Sequence, residues 1–293
     1  LIDSGSLVEA LEASHPDEIY NLAAQSFVGA SFEQPIGAGE ITGLGVTRLL
    51  EAIRKVCPET RFYHASTSEL YGDNSFEYQD ENTPFAPSSP YSAAKLYSHA
   101  MTRIYREGYN LFASNGILFN HESPLRGLEF VTRKITNSAA KIKLGLESKL
   151  ELGNMNARRD WGYAPEYIKM MWMMLQQDEP GDFVIATNET HTVKEFAIKA
   201  FECIDLNWES YVEVNEKYMR PNEVSYLKGN CEKARSVLGW HPHTKFNELV
   251  EIMMVADLER WQRWRKGEHF PWDASNYPNE KSILSRKLNK DTY

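Results

Sequence analysis

Apolar and polar positions along the chain follow two different periods, and the switches between them outline a fold. "LVEALEASH" places Leu7, Val8 and Leu11 on one helical face, and the following "DEIYNLAA" holds the short apolar run of a buried strand. "GLGVTRLLEAIRKV" returns to helical spacing through Leu44, Leu49, Leu50 and Ile53, and "RFYHAST" reads as a second strand ending in small hydroxyl residues. A helix from about Ser89 to Tyr109 and the strand "LFASNGILF" continue the alternation. Farther on, the pattern predicts a helix from Phe130 to about Gly145, a strand "KLEL", a helix "APEYIKMMWMMLQQ", a strand "DFVIA" and a helix from about Val193 to Ile204. Two last helices are predicted near 231 and over 245–266.

Helices alternating with buried strands imply parallel strands joined by crossover helices. The expected fold is therefore α/β, a Rossmann-like doubly wound parallel sheet with a smaller, interleaved α/β lobe. Residues 1–119 are expected to form an N-terminally incomplete dinucleotide-binding domain, with elements near 160–190 returning to it, and 120–293 mainly a substrate lobe. No internal repeat or low-complexity linker interrupts the pattern. Ligands of such sheets bind beyond the carboxyl ends of the strands. Ala23 to Ser26, Glu69 and Asn120 all follow predicted strand ends and are expected to converge on one crevice.

Composition narrows the function classes. At 293 residues with 42% hydrophobic and 25% charged content, the chain has the make-up of a globular protein. A net charge of -9 argues against tracking along nucleic-acid phosphates, which needs a basic surface. Three scattered cysteines, Cys57, Cys203 and Cys231, form no CxxC pair and point to a reducing compartment, by default the cytoplasm. No apolar run has a membrane span's length, and neither a membrane partner nor a secretory signal is expected.

The chemistry concentrates in "ASTSELYG" (65–72) and "PYSAAKLY" (90–97). Tyr91 and Lys95 stand at i and i+4, so a helix puts them on one face. An ammonium near a phenol favours the phenolate and turns a poor base into a usable one. Spacing alone also suits a surface lysine beside a half-buried tyrosine. Together with the strand-end "STSE", "YSAAK" resembles the extended short-chain dehydrogenases/reductases, whose hydroxyl residue, tyrosine and lysine surround a nicotinamide. An acid at that strand end separates the dehydratases from most epimerases and reductases. The wider set "YNLAAQSFV", "SPYSAAKLY", "NGILFNHESPLRG", "FVTRKIT", "LGNMNARRDWGYAPEYIKMMW" and "RPNEV" resembles the GDP-mannose 4,6-dehydratase family over nearly the whole chain.

That resemblance implies NADP as cofactor, with NAD as the alternative, and GDP-mannose as substrate. Thr67, Glu69, Tyr91 and Lys95 are implied as catalytic residues. Leu22, Ala23, Ala24, Gln25, Ser26, Tyr91, Lys95, His121 and Arg126 are implied against the cofactor. Asn120, Lys134, Arg159, Arg220 and Glu223 are implied against the nucleotide sugar, with Arg158 competing for the place of Arg159. Family members assemble as dimers or tetramers. The loop that commonly reads "SPRRG" is "SPLRG" here, so Leu125 removes one charge from it. A nucleotide-sugar epimerase or reductase, or a non-catalytic nucleotide-sugar binder, are the competing readings, and Glu69 is the feature that discriminates among the enzymes.

The family opens with a strand, a glycine-rich turn and a helix that hold the pyrophosphate. The chain starts beyond that segment, and these 293 residues alone are expected to bind NADP poorly and turn over little. "GAGEITGLG" (37–45) is not read as the glycine fingerprint, because it lies after the "NLAAQS" strand and opens an internal helix. "HPH" (241–243) has no acidic or cysteine partner at metal-binding spacing, and no metal site is expected. "MMWMML" is expected in the core, "RWQRWRKGEHFPW" as a C-terminal helix packed on its own domain, and the tail after Lys281 as mobile.

Overall fold

The computed structural model describes residues 1–74 and 76–268, so the tail after Lys281 and the end of "RWQRWRKGEHFPW" lie outside the described residues. In chain order the first elements are α1 (Ser4–Ser14), β1 (Glu18–Asn21), α2 (Val28–Glu33), α3 (Pro35–Ala38) and α4 (Gly45–Val56). Next come β2 (Arg61–Ala65), α5 (Pro90–Tyr109), β3 (Ala113–Leu118), β4 (Asn120–Glu122), α6 (Val131–Lys143) and β5 (Leu150–Leu152). β6 (Arg158–Arg159), β7 (Trp161–Tyr163), α7 (Ala164–Leu175), β8 (Asp182–Ile185), β9 (His191–Thr192) and α8 (Val193–Glu202) follow. The described chain ends with β10 (Val212–Val214), α9 (Glu232–Leu238) and α10 (Phe246–Arg265).

The described residues group into two compact units, 1–121 with 159–190 and 220–243, and 122–158 with 191–219 and 244–268. Residues 220–243, read from sequence as part of the second lobe, lie in the first.

The first unit is built on a four-stranded sheet in the order β1-β2-β3-β8. Every pairing in it is parallel, with Asn21 opposite His64, Phe62 opposite Ala113 and Asn115 opposite Asp182. Parallel neighbours need crossover connections, which the intervening helices supply. Side chains of a strand alternate between faces, and β2 shows the result. Phe62 joins a cluster with Leu11, Val46, Leu50, Ile53 and Tyr105 from α1, α4 and α5, whereas Tyr63 joins Met170, Met171, Met174 and Leu238 from α7 and α9. Helices thus cover both faces, the doubly wound arrangement that the pattern predicts. The methionines of "MMWMML" are core on one side only: Trp172 between them is exposed.

Local chemistry explains where the long helices start and stop. Ser89 caps α5, its hydroxyl accepting from Ser92 N while Ser92 Oγ accepts from Ser89 N, and Pro90 occupies the first turn. Asn110 closes that helix in the left-handed region. Within "GAGEITGLG" close packing acts at Gly45, where a Cβ would stand 2.8 Å from Leu1 Cβ. The segment Gly39–Leu44 is a π-helical stretch between α3 and α4, an insertion that apolar spacing does not reveal.

One core position carries a stability prediction. Tyr63 is fully buried and its hydroxyl has no hydrogen-bond partner among the described residues, while a Cβ on Gly116 would lie 2.2 Å from that oxygen. Burying an unpaired polar group costs about 1–3 kcal/mol. Tyr63→Phe should therefore raise unfolding free energy by about 1 kcal/mol in a urea titration, and a lower midpoint would show that the hydroxyl is satisfied.

The second unit packs α6 against α8 and α10, with β5 and β10 paired in parallel. Its interior holds a buried ion pair: Arg133 Nε donates to both carboxylate oxygens of Asp257 at 2.8 and 2.9 Å. Thr136 adds a third bond to Asp257 at 2.6 Å, so the buried carboxylate has the partners it needs.

Candidate functional site

The carboxyl end of β2 and the start of α5 form the frame of the site. Ser66 N continues the sheet by donating to Gly116 O at 2.9 Å. Thr67 then leaves the sheet and caps a 3-10 turn over Ser68–Tyr71, its hydroxyl oxygen accepting from Glu69 N at 3.2 Å. Glu69 is thereby the second residue of a turn that a hydroxyl, and not the acid itself, caps. Gly72 ends the turn at φ +62, where a Cβ would stand 1.9 Å from Ala86 O, so only glycine fits.

On α5, Lys95 is buried and its Nζ donates to Ala65 O at 2.6 Å. Burial lowers its pKa from 10.5 to about 8. The same ammonium lies 6.0 Å from the centre of the Tyr91 ring. Tyr91 is buried as well, and its backbone N–H donates to Ser31 Oγ of α2, which is itself tied to Val28 O. Helix α2 thus fixes the first turn of α5.

A group of four charges stands at the same strand end. Arg220 Nη1 lies 3.7 Å from Glu69 Oε1 and 3.6 Å from Glu223 Oε1. Arg159 is buried, donating to Glu223 Oε1 and to Val224 O, each at 2.7 Å. Burial lowers the pKa of Arg159, and the charges of Glu69 and Glu223 oppose that shift. Of the adjacent arginines, Arg159 makes the Glu223 pair, and Arg158 belongs to the second unit. The "RPNEV" segment is held by Asn222 on Ser88 O, Ser225 on Asp73 and Lys228 N on Gln79 Oε1.

The end of β1 leads into Leu22 to Ser26. Leu22, Ala23 and Ser26 are exposed, and Ala24 and Gln25 partly buried. Gln25 N donates to Thr42 Oγ1 at 3.0 Å, while its Oε1 is buried with no hydrogen-bond partner among the described residues. His121 follows Asn120 in β4, with Nδ1 3.0 Å from Phe119 O and its ring stacked on Tyr167 at 5.1 Å. An uncommitted amide oxygen, small exposed strand-end residues and a buried ammonium fit a dinucleotide lying over the sheet edge. Arg126 and Lys134 belong to the second unit. Arg126 pairs with Glu122 at 3.3 Å and lies 3.6 Å over the Phe130 ring, and Leu125 beside it is exposed. Lys134 donates to Glu151 O at 2.6 Å, lies 3.5 Å over the Tyr218 ring, and has its pKa lowered to about 8 by burial.

Several groups that support this frame carry no sequence signal. Asp160, fully buried next to Arg159, accepts from Thr187 N and Oγ1, Asn188 N and Gly229 N. Burial raises its pKa to about 7 against those bonds. Ser66 and His99 form another buried pair. Among the described residues no group of three or more His, Cys, Asp or Glu is placed to hold a metal ion, and no helix is long and apolar enough to cross a membrane.

A doubly wound parallel sheet whose second strand leads into Thr67 and the turn carrying Glu69, beside a helix carrying Tyr91 and Lys95, has the arrangement of the extended short-chain dehydrogenases/reductases. Solved structures agree on the fold. RMD from Pseudomonas aeruginosa complexed with NADPH superposes with a TM-score of 0.81 at 20% identity, covering 88% of this chain and 86% of that one. The dTDP-glucose 4,6-dehydratase of Bacillus anthracis in complex with NAD gives 0.78 at 20% identity, covering 91% and 80%. Sequence comparison is more specific. The family described as GDP-mannose 4,6 dehydratase matches residues 1–253. GDP-mannose 4,6 dehydratase 2 of Arabidopsis thaliana is 49% identical over 267 residues, 90% of this chain and 71% of that one. The human GDP-mannose 4,6 dehydratase is 50% identical over 279 residues, 88% and 75%. The chain belongs to the GDP-mannose 4,6-dehydratase family.

Proposed function

We propose that this protein converts GDP-mannose to GDP-4-keto-6-deoxy-mannose, a lyase reaction with no net change of oxidation state. The observation that carries the reading is Glu69, an acid set two residues beyond Thr67 at the strand end that Lys95 holds by the Ala65 carbonyl. A nucleotide-sugar 4-epimerase or 4-reductase has no C5 proton to remove and so no step for a base at that place.

Thr67 donates its hydroxyl proton to the sugar O4, since its oxygen already accepts from Glu69 N. Tyr91, supported by the Lys95 ammonium, takes the O4 proton as the C4 carbon is oxidised. When bound, NADP supplies the hydride acceptor for C4 and later the hydride donor for C6. The 4-ketone acidifies the C5–H bond, and Glu69 removes that proton. The C6 hydroxyl departs as water carrying the proton from Glu69. C5 finally regains a proton, which balances the one that Tyr91 took from O4, so one water is lost overall.

Leu22 to Ser26, His121, Tyr91 and Lys95 of the first unit would hold the cofactor, which the buried Gln25 Oε1, unpartnered among the described residues, supports. Asn120, Arg159, Arg220 and Glu223 of the first unit would hold the nucleotide sugar. Guanidinium groups suit a diphosphate because they donate two parallel bonds. Arg220 is the group to test: Arg220→Ala should weaken GDP binding about tenfold to a hundredfold, since a charged hydrogen bond contributes about 1.5–3 kcal/mol. Unchanged affinity in a calorimetric titration would assign Arg220 to holding Glu69 and Glu223 in place. The overall reading is tested by incubating the purified protein with GDP-mannose and NADP and following the 6-deoxy-4-keto product. We further place the protein in the cytoplasm, a reading its free cysteines support, and as a homodimer or homotetramer, which light scattering can measure.

A further inference from the structure

Ser66 stands between the two strand-end residues that matter most for the proposed reaction: Ala65, whose carbonyl receives Lys95, and Thr67, whose hydroxyl would meet the sugar. Its side chain is buried and lies 3.1 Å from Nδ1 of His99. His99 is one turn beyond Lys95 on α5, so helix and strand end are joined by two successive links on one helical face, Lys95 to Ala65 and His99 to Ser66. The far side of the imidazole is anchored too. His99 Nε2 lies 3.8 Å from Asp182 Oδ2, and Asp182 is fixed by Arg106 at 2.8 and 3.1 Å and by Asn115 Nδ2 at 3.0 Å. Asn115 closes the loop by donating to His99 O at 3.2 Å. A Ser66–His99–Asp182 array resembles a hydrolytic triad in composition, but the serine is buried inside the sheet, where no acyl group can reach it.

We infer that His99 is a positioning residue: through Ser66 it fixes the spacing between Thr67 on the strand end and Tyr91 on α5. The inference rests on the dehydratase reading and adds to it two residues that touch neither substrate nor cofactor. A strand end leaving its sheet has few backbone bonds of its own. Ser66 N bonds to Gly116 O, but beyond it Thr67 and the turn carrying Glu69 depend on side-chain contacts for their distance from α5. Proximity effects are steep, and a displacement of about 1 Å at a reacting group can cost about a hundredfold in rate.

The two sides of the imidazole can be separated by substitution. Asparagine places a polar atom near Nδ1 and keeps the Ser66 link; glutamine reaches toward Nε2 and keeps the Asp182 link. Both remove the ring, which meets Phe85 edge-on at 5.2 Å, so both should lower stability alike. His99→Asn is expected to keep kcat within about threefold of wild type. His99→Gln and Ser66→Ala are each expected to lower kcat about tenfold with KM for GDP-mannose unchanged, and the double variant to be no worse than either single one. A structural role alone would make His99→Asn and His99→Gln equally impaired, in step with their melting temperatures. Amide hydrogen exchange read without substrate keeps the two readings apart: Ser66 and Thr67 should exchange faster in His99→Gln and Ser66→Ala than in His99→Asn. If wild type yields no 4-keto product while exchange follows this order, the dehydratase reading fails and the link stands. Equal exchange in the two His99 variants, or wild-type kcat in Ser66→Ala, would overturn the inference.

Discussion

Replacing Glu69 with glutamine should leave a protein that oxidises C4 of GDP-mannose but hardly eliminates water. The substitution keeps size and removes the base, and a positioned general base contributes about 10²- to 10⁴-fold. Arg220 loses a charge at 3.7 Å but keeps Glu223 at 3.6 Å, and the capping bond from the Glu69 backbone to Thr67 is untouched. The turn should therefore hold its shape. Reduced nicotinamide should rise in a single turnover and persist, while the 6-deoxy-4-keto product falls by at least a hundredfold. Product formation at the wild-type rate would take Glu69 out of the proposed mechanism.

Lys95→Met should be the other severe change, because it removes the charge that favours ionised Tyr91 and the bond to Ala65 O together. Lowering a phenol's pKa by about 3 units takes about 4 kcal/mol of differential stabilisation, so a loss of turnover approaching about a thousandfold is expected. The pH dependence gives an independent check. With its folded pKa near 8 against an ordinary 10.5, Lys95 stays protonated below pH 8 in both folded and unfolded chains. As pH rises from about 8 toward 10.5, the unfolded chain binds the extra proton, so stability contributed by this group increases. Over the same interval the ammonium that supports Tyr91 disappears, so turnover should fall. The wild-type protein should thus gain unfolding free energy while losing activity across that window, and Lys95→Met should show no such gain. A wild-type turnover that stays flat above pH 8 would show that the Lys95 charge is dispensable.

The main frame was legible because its signals are local. Leu49, Leu50 and Ile53 sit at helical spacing on α4, and the observed α5 over Pro90–Tyr109 matches the helix read from about Ser89 to Tyr109. Tyr91 and Lys95 share a face for the same reason, being four residues apart on one helix. Helix α2 gave no periodic signal because it spans six residues, and yet its Ser31 anchors the first turn of α5. The π-helical stretch at Gly39–Leu44 escapes a reading based on a single helical period.

What the sequence by itself determined is the class of chemistry: an acid beside a hydroxyl at a strand end, a tyrosine and lysine one turn apart, and the order of helices and strands that carries them. Tertiary structure alone decided which of two neighbouring arginines faces Glu223, that the Arg220 segment joins the sheet unit, and that Lys95 is buried against the Ala65 carbonyl. It also alone brought Ser66 to His99, 33 positions apart, and His99 toward Asp182 across the sheet. The physical reason is range. Helical spacing, capping and turn chemistry act over a few residues and are written in the chain, whereas desolvation and ion pairing depend on which segments the parallel crossovers bring together.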